Sequence, residues 1–191
     1  LGAELVVLAI GDAVTNIVPE LGAYGATRAL VAEDARLRNY STTAYSAVVA
    51  EAVRQQSASI LFLPASQRGK DLAPRVAAKL SAGVAADCVA LTVDNGGITA
   101  SRPAYAGKAL MNVRVTSPIQ IFTLRPNVFT ASPTKGAGVE PEKLAVTLTG
   151  KDFGAQVTSV RIAEGRPDVT EASVIVSGGR GMKGPEHFHL V

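Results

Sequence analysis

The sequence predicts an α/β fold, a mainly parallel sheet with flanking helices plus an antiparallel meander in its second half. Three observations predict it. Residues 5–10 (LVVLAI) and 60–63 (ILFL) are short continuous apolar runs, the pattern of strands buried on both faces. Stretches with apolar residues at helical spacing alternate with such runs through the first half, as parallel βαβ units require. From Cys88 onward the helical spacing stops, and strand-like runs follow one another across short turns.

In chain order, the run 5–10 ends at Gly11-Asp12, residues 12–22 can form a short helix, and 28–32 read as a second strand. Residues 42–56 carry Tyr45, Val48, Val49, Ala52 and Val53 as one apolar stripe, with Thr42 or Thr43 as a cap. The strand 60–63 is closed by Pro64, residues 65–69 (ASQRG) form a loop, and a helix runs over 71–80. Pro74 is acceptable there only near the first turn. The runs 88–93, 98–105, 109–115 and 119–124 read as strands. Asn95-Gly96-Gly97 and Ala106-Gly107-Lys108 are the turns between them. Residues 131–143 (ASPTKGAGVEPEK) read as an exposed connection, 144–149 and 157–163 as two further strands, and 165–168 as a second linker.

With 191 residues the chain can hold one large domain, or one domain and the start of another. Apolar residues make up 47% and aromatics 5% with no Trp, so Ala, Val, Leu and Ile must fill the core. The formal net charge is +3, and Lys and Arg are spread singly, without the clustered cations or stacking aromatics of a nucleic-acid surface. No stretch is long and apolar enough for membrane insertion. Cys88 is the single cysteine, which excludes an internal disulfide, and its flanks Val89, Ala90 and Leu91 read as core. His187 and His189 are the only histidines. No further ligand completes a metal shell around them, and a His-based catalytic site in the body of the chain is excluded. The sequence opens at Leu1, without Met, directly before a strand, so a preceding segment is expected.

The feature richest in chemistry lies near the end. Residues 172–176 (ASVIV) read as a strand, followed by Ser177-Gly178-Gly179-Arg180-Gly181 and by Pro185 and Glu186 as a helix start. Glycines let a ligand approach free N–H groups, and Arg180 adds a planar, permanently charged fork for a phosphate or a polar ring edge. The spacing matches neither GxGxxG nor the Walker pattern. On local grounds an anion cradle and a tight turn with a surface arginine stand level. The loop Ser66-Gln67-Arg68-Gly69-Lys70 reads as a helix entry capped by Ser66 or Asp71. Arg102, Tyr105 and Arg125, beside turns and strand ends, read as structural.

Five segments, in order, resemble the alpha subunit of electron transfer flavoprotein. They are LGAELVVLAIG (1–11), GKDLAPRVAAKLSAGVAADC (69–88), RPAYAGKAL (102–110), TLRPNVF (123–129) and GRPDVTEASVIVSGGRGMKGPEHF (165–188). The second and last are the specific ones. The resemblance implies a Rossmann-like fold of the nucleotide-hydrolase and electron transfer flavoprotein type. It also implies a heterodimer with a beta subunit around one FAD. Electrons would pass from acyl-CoA and related dehydrogenases, as in fatty acid oxidation, to a quinone oxidoreductase or another acceptor. Such a subunit carries electrons and is not an enzyme. Its setting is the bacterial cytoplasm or the mitochondrial matrix.

By the same resemblance, residues 1–166 are the N-terminal α/β domain without its first strand and helix, and 167–191 begin the FAD-binding domain. Arg180 would contact FAD, Gly178, Gly179 and Gly181 would shape the turn, and Ser177 would flank it. The family's later ASRAAVDAG-type, QxGxTG and GISGAxQH flavin segments do not occur in these residues. The piece is therefore expected to be a scaffold that does not hold FAD by itself. The alternative is a stand-alone Rossmann-like nucleotide-binding or sensor domain, which needs a phosphate loop after Ile10 or Leu63. A dehydrogenase or hydrolase would need an acid–base set that the sequence does not offer.

Overall fold

The structure, a computed structural model, describes residues 2–94, 97–134, 136, 138–161, 169, 172 and 174–190. The chain divides into two compact units, Leu1–Val157 and Thr158–Val191. The expected domain boundary at 166/167 and the linker 165–168 lie outside the described residues.

The first unit has the expected α/β fold, built on two parallel three-stranded sheets. One has the order β1 (Val6–Gly11), β2 (Arg28–Glu33), β9 (Pro141–Lys143), with Leu8 opposite Leu30 and Leu30 opposite Glu142. The other has the order β3 (Ile60–Pro64), β8 (Gln120–Leu124), β4 (Gly83–Cys88), with Phe122 between Phe62 and Ala85. An antiparallel sheet of β5 (Ala90–Asp94), β6 (Gly97–Ala104) and β7 (Ala109–Arg114) is the expected meander. The residues expected to turn between β5 and β6, Asn95 and Gly96, lie outside the described residues, and Asp94 pairs with Gly97 across that turn.

The helix α1 (Val18–Leu21) is one turn long between two 3-10 turns, Thr15–Ile17 and Gly22–Tyr24. Gly25 closes this stretch at φ +92°, a conformation that favours glycine. α2 (Thr42–Gln55) buries Val48 and Ala52 against β1 and β2, and turns Val49 and Val53 toward α3 (Gln67–Leu80). Leu8 and Ile10 of β1 pack against both groups. The helical stripe read from sequence is therefore split between two clusters, because one helix covers the neighbouring halves of the fold.

Several expectations are corrected. The N-cap of α2 is Ser41, and Thr42 instead donates its hydroxyl to the Asp71 carboxylate at 2.5 Å. α3 begins at Gln67, capped by Ser66, whose Oγ accepts from the Gly69 N–H at 3.2 Å. Pro74 therefore sits inside the helix and not in its first turn. The strand-like run 88–93 is two strands, because β4 leaves the parallel sheet at Cys88 and β5 starts the meander at Ala90. The run 119–124 does not continue the meander: β8 returns to the parallel sheet between β3 and β4.

Residues 144–149 and 157–161 form no strand. Leu144 is buried as a plug in the core beside β9, while Val157 and Val160 are exposed. The connection 131–143 likewise ends in β9 and buries Val139. Residues 162 and 163 of the last expected strand lie outside the described residues. β1 and β3 are less enclosed than their sequences suggest, with Phe62 41% exposed although its ring lies 5.7 Å from that of buried Phe122. Each has one bare edge: among the described residues β1 pairs only with β2, and β3 only with β8.

Candidate functional site

The turn expected to meet a cofactor lies in the second unit. No strand forms at Val174, Ile175 or Val176, which are 79%, 57% and 65% exposed. A strand needs a neighbour for its backbone groups, and none pairs with these among the described residues. Gly179 then leads into a 3-10 turn, Arg180–Met182, and a second one, Pro185–Leu190, follows in place of the expected helix start.

The three glycines differ. A Cβ on Gly178 would come within 2.9 Å of Met182 Cγ and Phe188 Cζ, so a larger residue there would have to displace those side chains. Gly179 and Gly181 have nothing within 4 Å of such an atom, so their backbone is open to approach. Ser177 and Arg180 are exposed. The turn therefore carries an exposed arginine beside exposed glycine backbone. The described residues supply no second wall around it.

The remaining sequence candidates have defined places. His187 lies 3.6 Å from Glu186 Oε1, and His189 Nδ1 is 2.9 Å from the Glu186 carbonyl oxygen. Among the described residues no group of three His, Cys, Asp or Glu could hold a metal ion. Cys88 is fully buried, its thiol donates to the Ala85 carbonyl, and burial pushes its pKa up. The loop after Leu63 is the capped entry to α3, as its sequence indicates.

A second concavity gathers residues that sequence kept apart. Asp87, in the irregular stretch of β4 between Ala85 and Cys88, binds Arg125 through two bonds, Nε to Oδ1 at 3.0 Å and Nη2 to Oδ2 at 2.7 Å. Those bonds hold the Asp87 carboxyl below the usual carboxylate range. Arg102 donates its Nε–H to the Ala86 carbonyl at 2.7 Å. The two arginines, with Tyr105 and Leu110 from the β6–β7 hairpin, line a crevice of about 690 Å³. In sequence Arg102, Tyr105 and Arg125 each stand beside a turn or strand end and read as structural. Only their occurrence in two of the recognisable segments, 102–110 and 123–129, hinted that they belong together.

Residues 1–149 match the electron transfer flavoprotein domain. This chain belongs to the electron transfer flavoprotein family. Along its whole length it is 37% identical to the protein FixB of Clostridium saccharobutylicum, of which it covers 58%. It is 38% identical over its whole length to the electron transfer flavoprotein subunit alpha of Syntrophomonas wolfei, covering 60% of that protein. Over 97% of its length it is 36% identical to the corresponding Bacillus subtilis subunit, covering 57%. The chain thus spans a little under two thirds of the length of these electron transfer flavoprotein relatives. No helix among the described residues is long and apolar enough to cross a membrane.

Proposed function

We propose that this chain is the scaffold part of an alpha subunit that works as an electron carrier in a heterodimer with a beta subunit. The observation that carries this reading is the end-to-end similarity to alpha subunits, at 36–38% identity in the relatives named above. In the complete subunit a flavin, FAD, supplies the redox chemistry, and the protein binds it, orients it and tunes its electrostatics. Arg180 holds a polar group of the FAD, Gly179 and Gly181 leave room for that approach, Gly178 shapes the turn and Ser177 flanks it. The exposure of Val174, Ile175 and Val176 supports an FAD-binding domain, from 167 onward, whose other walls lie outside these 191 residues. The carrier accepts electrons from acyl-CoA and related dehydrogenases and delivers them to a quinone oxidoreductase or another acceptor. Its own residues break no substrate bond, and its setting is the bacterial cytoplasm or the mitochondrial matrix.

The first unit supports the same reading through its unfinished sheets. The two bare-edged strands share one apolar cluster, with Leu8 and Ile10 packing there from β1 and Leu61 and Leu63 from β3. An open edge presents a row of unpaired N–H and C=O groups that a further strand can take up. A strand from outside these residues, the missing first strand of the α/β domain 1–166, completes the sheet there.

The deciding experiment is co-purification of the full-length subunit with its beta partner, read by visible absorbance. A yellow complex with about one FAD per heterodimer is expected, and a colourless complex that takes up no added FAD refutes the carrier reading. The 191-residue chain alone should stay colourless after dialysis against FAD. Stoichiometric yellow protein would show that this piece already holds the whole site.

A further inference from the structure

Residues 144–149 alternate as a strand would, and Leu144, Val146 and Leu148 all pack on the cluster around Leu30, Ala32 and Val48. Among the described residues their backbone joins the parallel sheet through the Leu144 N–H, which donates to the Val31 carbonyl at 2.9 Å. Past that point a chain without a strand neighbour needs other partners for its amide groups. Side chains supply them. Gln55 Nε2 donates to the Ala145 carbonyl at 2.7 Å, and Arg36 Nη1 donates to the Leu148 carbonyl at 3.3 Å. The Gly154 N–H donates to Thr43 Oγ1 at 3.3 Å. The stretch 144–154 is thus a strap, tied to both ends of α2 and to the turn before it.

Arg36 holds the far end of the strap. Asp34 sets its guanidinium in place, with Nε 3.0 Å from Oδ1 and Nη2 2.6 Å from Oδ2, which leaves Nη1 for Leu148. The guanidinium carbon also lies 5.0 Å from the centre of the Phe153 ring, a cation–π contact. Asp152, held in a capping box with Thr149, adds a negative charge that acts on Arg36. A planar fork serves a carboxylate, a carbonyl and a ring at once, which an ammonium group cannot do.

Among the described residues the ties stop at Gly154. Ala155, Gln156 and Val157 stand with Arg38, Asn39 and Tyr40 around a crevice of about 380 Å³, and Val157 is 44% exposed. Val157 is also the last residue of the first compact unit. The strap is therefore the last stretch this unit holds through side chains before the chain leaves it.

We propose that Arg36 is the buckle of this strap and fixes the point at which the chain leaves the first unit. It is thereby a positioning residue for the flavin-bearing part of the subunit. That second role rests on the carrier reading, and the first does not. Without the buckle, residues 148–157 come free and add roughly 30 Å of reach when extended. A longer tether lowers the effective concentration of whatever it carries.

The test uses the full-length subunit in complex with its beta partner, as parent, Arg36→Ala and Arg36→Lys. Native-state cleavage by chymotrypsin after Phe153 is followed by mass spectrometry, with cleavage after Tyr24, which is 52% exposed, as the reference. Arg36→Ala should speed cleavage after Phe153 at least about fivefold against that reference, because local opening is governed by local ties. Arg36→Lys, which keeps the charge and loses the fork, should fall between parent and Arg36→Ala. Small-angle X-ray scattering should give Arg36→Ala a larger maximum dimension than the parent at equal flavin content. Unchanged cleavage after Phe153, or an equal rise after Tyr24, overturns the buckle. Parent-like cleavage in Arg36→Lys overturns the part given to the fork. Faster cleavage with an unchanged maximum dimension overturns the positioning role. A colourless parent complex refutes the carrier reading and the positioning role with it, while the cleavage rates still decide the buckle.

Discussion

Gly69→Ala sets helix propensity against packing, and the two predict opposite signs. Gly69 is the third residue of α3, and Ala in a helix is favoured over Gly by about 1 kcal/mol. Propensity alone therefore makes the substitution stabilising. In the structure, however, a Cβ at residue 69 would fall far inside van der Waals contact distance of the Pro64 carbonyl oxygen and 2.9 Å from its carbonyl carbon. The obstacle is the backbone at the end of β3, which has no rotamer to change. α3 cannot simply slide away, because Ser66 caps it and Leu72, Ala73, Val76 and Ala77 are buried against Ile121, Leu61 and Leu63. Overpacking of this kind costs about 1–3 kcal/mol, and displacement of the helix adds lost burial. The net loss should be about 1–2 kcal/mol after the propensity gain, a fall in Tm of about 2–8 °C for a chain of this size. The assay is thermal and urea unfolding followed by far-UV circular dichroism, with Gly150→Ala as the control. A Cβ on Gly150 would meet nothing within 4 Å, so that variant should be neutral or slightly stabilised. A Gly69→Ala chain as stable as the parent, or more so, would refute the packing account of α3.

Other outcomes follow from the same geometry. Arg180→Ala in the full-length heterodimer should reduce FAD retention or shift its redox potential while thermal stability is kept, and unchanged flavin content and potential would count against its role. Asp87 has a folded pKa held below its unfolded value, first by the hydrogen bonds from Arg125, so its contribution is complete above the unfolded carboxylate pKa. That contribution is lost as pH falls below about 4 toward the folded value, so Asp87→Asn should flatten the acid limb of a stability-versus-pH curve. Asp34 is drawn down to about 2, first by the Arg36 side chain and then by the Arg36 backbone N–H. In Arg36→Gln its NMR titration midpoint should rise part of the way back, because the backbone bond remains. Cys88 should react with a thiol reagent only when the chain unfolds, and rapid labelling of the native protein would contradict its burial.

Local pattern was enough to read most of the elements, because it depends on neighbours a few residues apart. The alternation of apolar runs with the stripe from Tyr45 to Val53 marked β1, β2, α2 and β3, and the turn signals from Asn95 to Lys108 marked the meander. The order of the recognisable segments by itself points to the family. Tertiary structure decided where each strand pairs: β8 continues the strand-like run of the meander in sequence, yet its apolar side chains are buried only between β3 and β4. It also decided that Leu144 fills a core gap instead of extending a strand, since burial depends on surfaces brought from far along the chain. The crevice around Arg102 and Arg125 belongs to the same class. Asp87 and Arg125 are 38 positions apart, and neither sequence neighbourhood records the charge that the other supplies.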